Sequence, residues 1–174
     1  VPLGGRPSAA AVEPGLGARY KVLQYDFNST GSHLLYRVAV TAVAEGGSDS
    51  ETHESLALVD VSGASPAPTV DLSGPLPVGG QVRWSEWSDD DSYLLYLANQ
   101  SDVGKLELSW IGSPLASPTA PVTVNDPLPE GGQLGLRVQP DLAQQYVLYR
   151  ADPYVAGQVV LMQAVVGDML PGMP

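Results

Sequence analysis

The sequence predicts an all-β chain made of about three tandem four-stranded antiparallel units. Three runs share one layout: Ser32-His33-Leu34-Leu35-Tyr36-Arg37, Ser92-Tyr93-Leu94-Leu95-Tyr96-Leu97 and Gln145-Tyr146-Val147-Leu148-Tyr149-Arg150. Tyr36, Tyr96 and Tyr149 lie 60 and 53 residues apart. A second marker keeps the same beat, since Pro75-Leu76-Pro77-Val78-Gly79-Gly80-Gln81-Val82 returns 52 residues later as Pro127-Leu128-Pro129-Glu130-Gly131-Gly132-Gln133-Leu134. No stretch sets apolar residues at helical spacing between caps. Short β-branched and aromatic runs separated by Gly, Pro, Asn and Asp recur instead.

Taken in order, residues 1–19 have the Pro, Gly and Ala content of a linker and read as an N-terminal arm. Repeat 1 covers residues 20–72. Its Tyr36 run is apolar on both sides of the pleat, as an inner strand between two sheets must be. Leu58 follows Tyr36 by 22 residues, where Leu108 and Leu161 follow Tyr96 and Tyr149 by 12. The ten additional residues fall in the polar stretch 44–54, which reads as a lengthened, mobile hairpin loop because surface loops absorb insertions at little cost. Repeat 2, residues 73–126, divides into strands near 82–87, 93–99, 105–111 and 121–125. Repeat 3, residues 127–167, stops after its third strand, and residues 168–174 form a C-terminal tail.

A period near 52 with four strands per copy is the pattern of a propeller blade, a small sheet that buries both faces only by stacking on its neighbours. The stretches before the tyrosines carry a family resemblance. Phe27-Asn28-Ser29-Thr30-Gly31 precedes Tyr36, Trp87-Ser88-Asp89-Asp90-Asp91 precedes Tyr96, and Val138-Gln139-Pro140-Asp141 precedes Tyr149. Over residues 20 to 167 the chain resembles the TolB-like or PD40 (WD40-like) β-propeller repeats, whose pattern is an aromatic, then Ser-Pro-Asp-Gly, then a strand ending in Tyr. Only the third copy keeps Pro-Asp. The resemblance implies a propeller-type fold and is compatible with protein binding. With about three repeats the ring is incomplete, so the outer faces are expected to be covered by another chain or by further sequence.

Composition narrows the chemistry. The chain has no cysteine, which excludes disulfides, thiolate nucleophiles and Cys-ligated metal. Nineteen acidic against eight basic residues give a net charge of −11, which opposes a nucleic-acid partner. No apolar run reaches the roughly 20 residues of a membrane-spanning helix, so no membrane insertion is expected. The first residues lack the basic start and apolar centre of a signal peptide. Val1 therefore reads as a processed or truncated start. The low Lys and Arg content of a Cys-free acidic chain suggests an extracellular or periplasmic location.

Asp89-Asp90-Asp91, preceded by Glu86, invites a calcium reading, because hard cations take several carboxylate oxygens. The alternating spacing and following Gly of a cation loop are absent, so turn chemistry before a strand is the preferred account. No cofactor is implied. His33 and His53 are the only histidines. His33 fills the slot of Tyr93 and Tyr146, and no nucleophile elbow or metalloprotease helix accompanies either, so catalysis is not expected. Asn28-Ser29-Thr30 and Asn99-Gln100-Ser101 fit the glycosylation pattern but read as turns. Trp84, Trp87 and Trp110 read as core before they read as a sugar-binding face. Arg37 and Arg150 read as solvated strand ends, with an interface role as the second account.

These observations lead to a non-enzymatic structural or scaffolding module acting through protein contacts. A self-assembling subunit that exchanges an arm or strand with its neighbours is one form of it. The interface candidates are Val1, Pro2, Leu3 and Val12 in the arm and Val165, Val166, Met169 and Leu170 at the tail. The alternatives are a carbohydrate- or ligand-binding propeller module and the accessory propeller of a larger peptidase.

Overall fold

A computed structural model describes residues 18–43, 49–65, 67–112, 114–140, 146–152 and 157–165. The described residues contain strands and turns and no helix. Eleven strands follow in chain order: β1 Ala18–Phe27, β2 His33–Val43, β3 Asp49–Asp60, β4 Val70–Asp71, β5 Val82–Trp87, β6 Tyr93–Ala98, β7 Glu107–Gly112, β8 Val122–Thr123, β9 Leu134–Pro140, β10 Tyr146–Ala151 and β11 Val160–Val165. They form three antiparallel sheets in which each strand pairs with its sequence neighbour. Sheet I is β1-β2-β3-β4, sheet II is β5-β6-β7-β8, and sheet III is β9-β10-β11. Among the described residues none closes into a barrel, and sheet III has three strands.

Tyr36, Tyr96 and Tyr149 lie on β2, β6 and β10, the second strand of each sheet. The strands of repeat 2 start and end within two residues of the sequence expectation. The repeated Pro-Gly-Gly marker forms the turn leading into β5 and β9. Gly80 N–H donates to the Pro77 carbonyl (2.7 Å) and Gly132 N–H to Pro129 (2.9 Å). Gly79 and Gly131 between them hold φ of 80° and 75°. A positive φ at the third position of such a turn is why the motif needs glycine there.

The first repeat departs from expectation in two ways. Residues 49–54 are strand, not loop, because β3 begins at Asp49 and its Thr52, His53 and Glu54 pair with Thr41, Val40 and Ala39 of β2. The insertion has lengthened the hairpin, adding ladder hydrogen bonds instead of slack chain. Residues 44–48 lie outside the described residues. The equivalence of Leu58 with Leu108 and Leu161 is also corrected by register. The residue after each tyrosine pairs with Leu56, Leu108 and Leu161 respectively (Arg37↔Leu56, Leu97↔Leu108, Arg150↔Leu161), so the matching leucine is Leu56. It follows Tyr36 by 20 residues, which makes the insertion eight residues long.

Apolar burial follows the pleat. On β6 all six residues are buried, Tyr93, Leu95 and Leu97 on one side and Leu94, Tyr96 and Ala98 on the other. Leu94, Tyr96, Ala98, Val82 and Ile111 join Leu35, Leu56 and Leu58 of sheet I in one core. Tyr93, Leu95, Leu97, Leu108 and Trp110 join Leu134, Val147, Tyr149, Ala151 and Ala164 of sheet III in the other. Sheet II is therefore sandwiched between the other two. At about 25 cal/mol per Å² of apolar surface, this double burial makes β6 the strand that gains most from burial among the described residues.

Candidate interaction faces

Each sheet has two unlike faces. The Tyr face carries the marker tyrosine; the Leu face carries the residue before it (Leu35, Leu95 or Leu148) and the residue after it. Leu35 of sheet I shares a core with Tyr96 of sheet II, and Leu95 of sheet II shares a core with Tyr149 of sheet III. Both seams thus join the Leu face of one sheet to the Tyr face of the next. Two faces are left over, the Tyr face of sheet I and the Leu face of sheet III.

Equivalent residues measure what those faces lack. Leu56 and Leu108, on the Leu faces of sheets I and II, are each 0% exposed, whereas Leu161 at the same register of sheet III is 69% exposed. On the Tyr side, Val22, Val82 and Leu134 each pair with the residue two beyond the tyrosine (Val38, Ala98 and Ala151). Val82 and Leu134 are buried at 1% and 4%, and Val22 is 57% exposed, the exposure on this face of sheet I lying along β1 while Val38, Ala57 and Val59 further in are buried. Tyr20, Tyr25 and Phe27 extend the exposed apolar stripe along the edge strand β1, while Tyr146 and Val165 lie exposed beside Leu161. An aligned row of large apolar residues open to solvent marks a contact surface.

Polar groups fix the first seam. Arg37 Nη1 donates to the Val82 carbonyl across the gap between the sheets (2.6 Å), and Val82 N–H donates to Glu54 Oε2 (2.9 Å). Arg37 Nε stands 3.7 Å from the same carboxylate oxygen. Gly79 N–H donates to the Thr52 carbonyl (2.9 Å) and Glu54 N–H to the Gly80 carbonyl (3.0 Å), so the extended part of β3 is stitched to the linking turn. Arg37 is therefore not a solvated strand end; it sits at the contact between two sheets, nearer the second account than the preferred one. The signal was available in the inward register of Leu35, which places the residue two positions on against the next sheet.

A second polar link joins the turns before β2 and β6. The Asp91 carboxylate accepts from Asn28 Nδ2 (2.9 Å), Ser29 N–H (3.0 Å) and Ser29 Oγ (2.7 Å). Asp90 turns the other way, accepting from Ser92 N–H (3.0 Å) and Ser88 Oγ (2.8 Å). Partial burial acts to raise the Asp90 carboxyl but is outweighed by these bonds from Ser92 and Ser88, which hold it below its usual range. Partial burial pushes Glu86 upward, reinforced by Asp89 and Asp26 nearby. Among the described residues no three His, Asp or Glu side chains gather as a metal-holding group.

The remaining sequence candidates fall into place individually. Asn28 and Asn99 are buried, and Asn99 Nδ2 is committed to the carbonyls of Val103 (2.9 Å) and Lys105 (2.8 Å), which supports the turn reading of both triplets. Trp110 is core, and Trp84 and Trp87 pack against the two cores. His33 begins β2, with Nδ1 2.9 Å from Ser32 Oγ, and His53 sits within β3. A cleft lined by Asp26, Leu35, Arg37 and Ser85 holds about 10 Å³, room for one water molecule. Of the interface candidates, Val165 is exposed on β11. Val1, Pro2, Leu3, Val12, Val166, Met169 and Leu170 lie outside the described residues.

Compared with family models, curated proteins and solved structures, the chain matches none.

Proposed function

We propose that this chain is a non-enzymatic structural module of propeller type, working through protein contacts made by its two open sheet faces. The observation that carries the reading is Leu161, 69% exposed where the equivalent Leu56 and Leu108 are each 0% exposed. A fold that buries this position wherever a neighbouring sheet is present leaves it bare at the end of the stack. The resemblance of the repeats to TolB-like propellers is compatible with protein binding. The outer edge of β11 adds to it, because β4 and β8 cover the matching edges of β3 and β7 and no fourth strand joins sheet III among the described residues. An arm or strand from another subunit fits that edge, and composition favours an extracytoplasmic setting.

A carbohydrate-binding role draws less support, since Trp110 is buried and Trp84 and Trp87 pack against the cores. Light scattering of the full chain and of a chain lacking residues 1–19 tests the proposal. A mass that rises with concentration supports contact-making, and loss of that rise on removing the arm assigns it to arm exchange. A stable monomer for both chains at every concentration overturns the self-assembling form.

A further inference from the structure

We infer that the open Leu face of sheet III in one copy stacks on the open Tyr face of sheet I in a second copy, continuing between chains the order that joins sheets within one. The inference rests on the contact-module reading and names its partner.

Two seams within the chain are built by the same two faces in the same order, so the leftover faces are the two halves of that same seam. Their register agrees in detail: Leu161 stands where Leu56 and Leu108 are buried, and Val22 stands where Val82 and Leu134 are buried. Joining like faces, Leu on Leu or Tyr on Tyr, is a contact that neither seam within the chain makes. The polar link is available too. Arg150 follows Tyr149 as Arg37 follows Tyr36, and it is exposed on the open Leu face. By the geometry of Arg37 on the Val82 carbonyl, its acceptor is the carbonyl of Val22 in the second copy.

A single sheet face is small. The smaller partner face, three strands about 4.8 Å apart and six residues of about 3.3 Å each, offers a footprint of roughly 14 × 20 Å. That is below the standard size for a tight complex, so association is expected only at micromolar concentration or above. The contact is head-to-tail, so it propagates as a filament unless the rotation between copies closes a ring.

Sedimentation velocity of the full chain from about 5 to 500 µM tests this. Wild type is expected to gain mass with concentration. Leu161→Glu and Val22→Glu should each weaken association at least about tenfold. Because each variant keeps one intact face, an equimolar mixture should form a heterodimer and nothing larger. Arg150→Leu, which copies Leu97 of sheet II, should keep the assembly, and Arg150→Glu should weaken it. Leu161 and Val22 are exposed within one copy, so melting of dilute variants should match wild type; if either misfolds, the two Arg150 variants carry the test. Variants that associate like wild type, or a mixture that stays monomeric, overturn the stacking and leave the contact-module reading standing. A wild type that is monomeric throughout removes the stacking together with the self-assembling form of that reading.

Discussion

Asp91 holds a left-handed backbone, φ 59°, the only non-glycine residue to do so among the described residues, where the matching residue of the first repeat is Gly31 at 69°. Such a conformation costs about 1 kcal/mol outside glycine. The carboxylate offsets it by accepting three hydrogen bonds from Asn28 and Ser29 of the neighbouring turn. Asp91→Ala keeps the strain and loses the link, so chemical denaturation should show a loss of about 2 kcal/mol, and Asp91→Asn, which tolerates this φ, a smaller one. A loss in Asp91→Ala below that of an exposed substitution would contradict the role. The sequence displayed three adjacent aspartates, a pattern that suggests a cation. What it could not display is that Asp90 and Asp91 point into different turns, since that depends on the positive φ between them and on a partner 62 residues away. Arg37 was hidden for the same reason. A charged residue after a strand reads as solvated until the face it shares with Leu35 is known.

Elements were more legible than side-chain roles. The strands of repeat 2 could be placed to within two residues because turn-forming Gly, Pro, Asn and Asp bracket each apolar run. The first hairpin was misjudged, since Asp49 to Glu54 is polar and polarity was taken for loop. A strand whose sheet extends beyond its neighbours has no apolar face to bury, so its composition carries no strand signal. The linking turns were legible from their repetition, and their glycines can be tested. A Cβ on Gly80 would meet the Pro77 carbonyl oxygen at 2.7 Å and Leu76 Cβ at 3.1 Å, whereas one on Gly31 meets nothing within 4 Å. Gly31→Ala should therefore cost about 1 kcal/mol through its φ alone. Gly80→Ala must move the turn and should cost about 1–3 kcal/mol, and thermal melts of both variants would reverse this order only if the turn were soft.

At the scale of the whole chain, stability is arranged from the middle outward. Leu108 is closed in by sheet III and Leu161 is closed in by nothing among the described residues, although the two occupy one register. In dilute protein Leu108→Ala should cost about 3 kcal/mol and Leu161→Ala under about 0.5 kcal/mol. Equal losses in denaturant titrations would mean that the end of the stack is already covered. That sheets stack on one another was legible in advance because the Leu-Leu-Tyr and Val-Leu-Tyr runs are apolar on both sides, whereas the middle place of sheet II was not, since sheet I carries the same run. Which faces meet was not, since that follows from the direction of stacking and not from any one run.

All three tryptophans of the chain belong to sheet II, Trp84 and Trp87 on β5 and Trp110 on β7. Trp84 and Trp110 line the seam with sheet III, and Trp87 packs at the seam with sheet I. Indole emission therefore originates from the centre of the molecule. The two outer sheets contribute only tyrosine and phenylalanine, so a red shift on gentle perturbation reports parting of the layers before any strand has melted. Keeping Trp87 alone or Trp110 alone would let the two partings be timed separately.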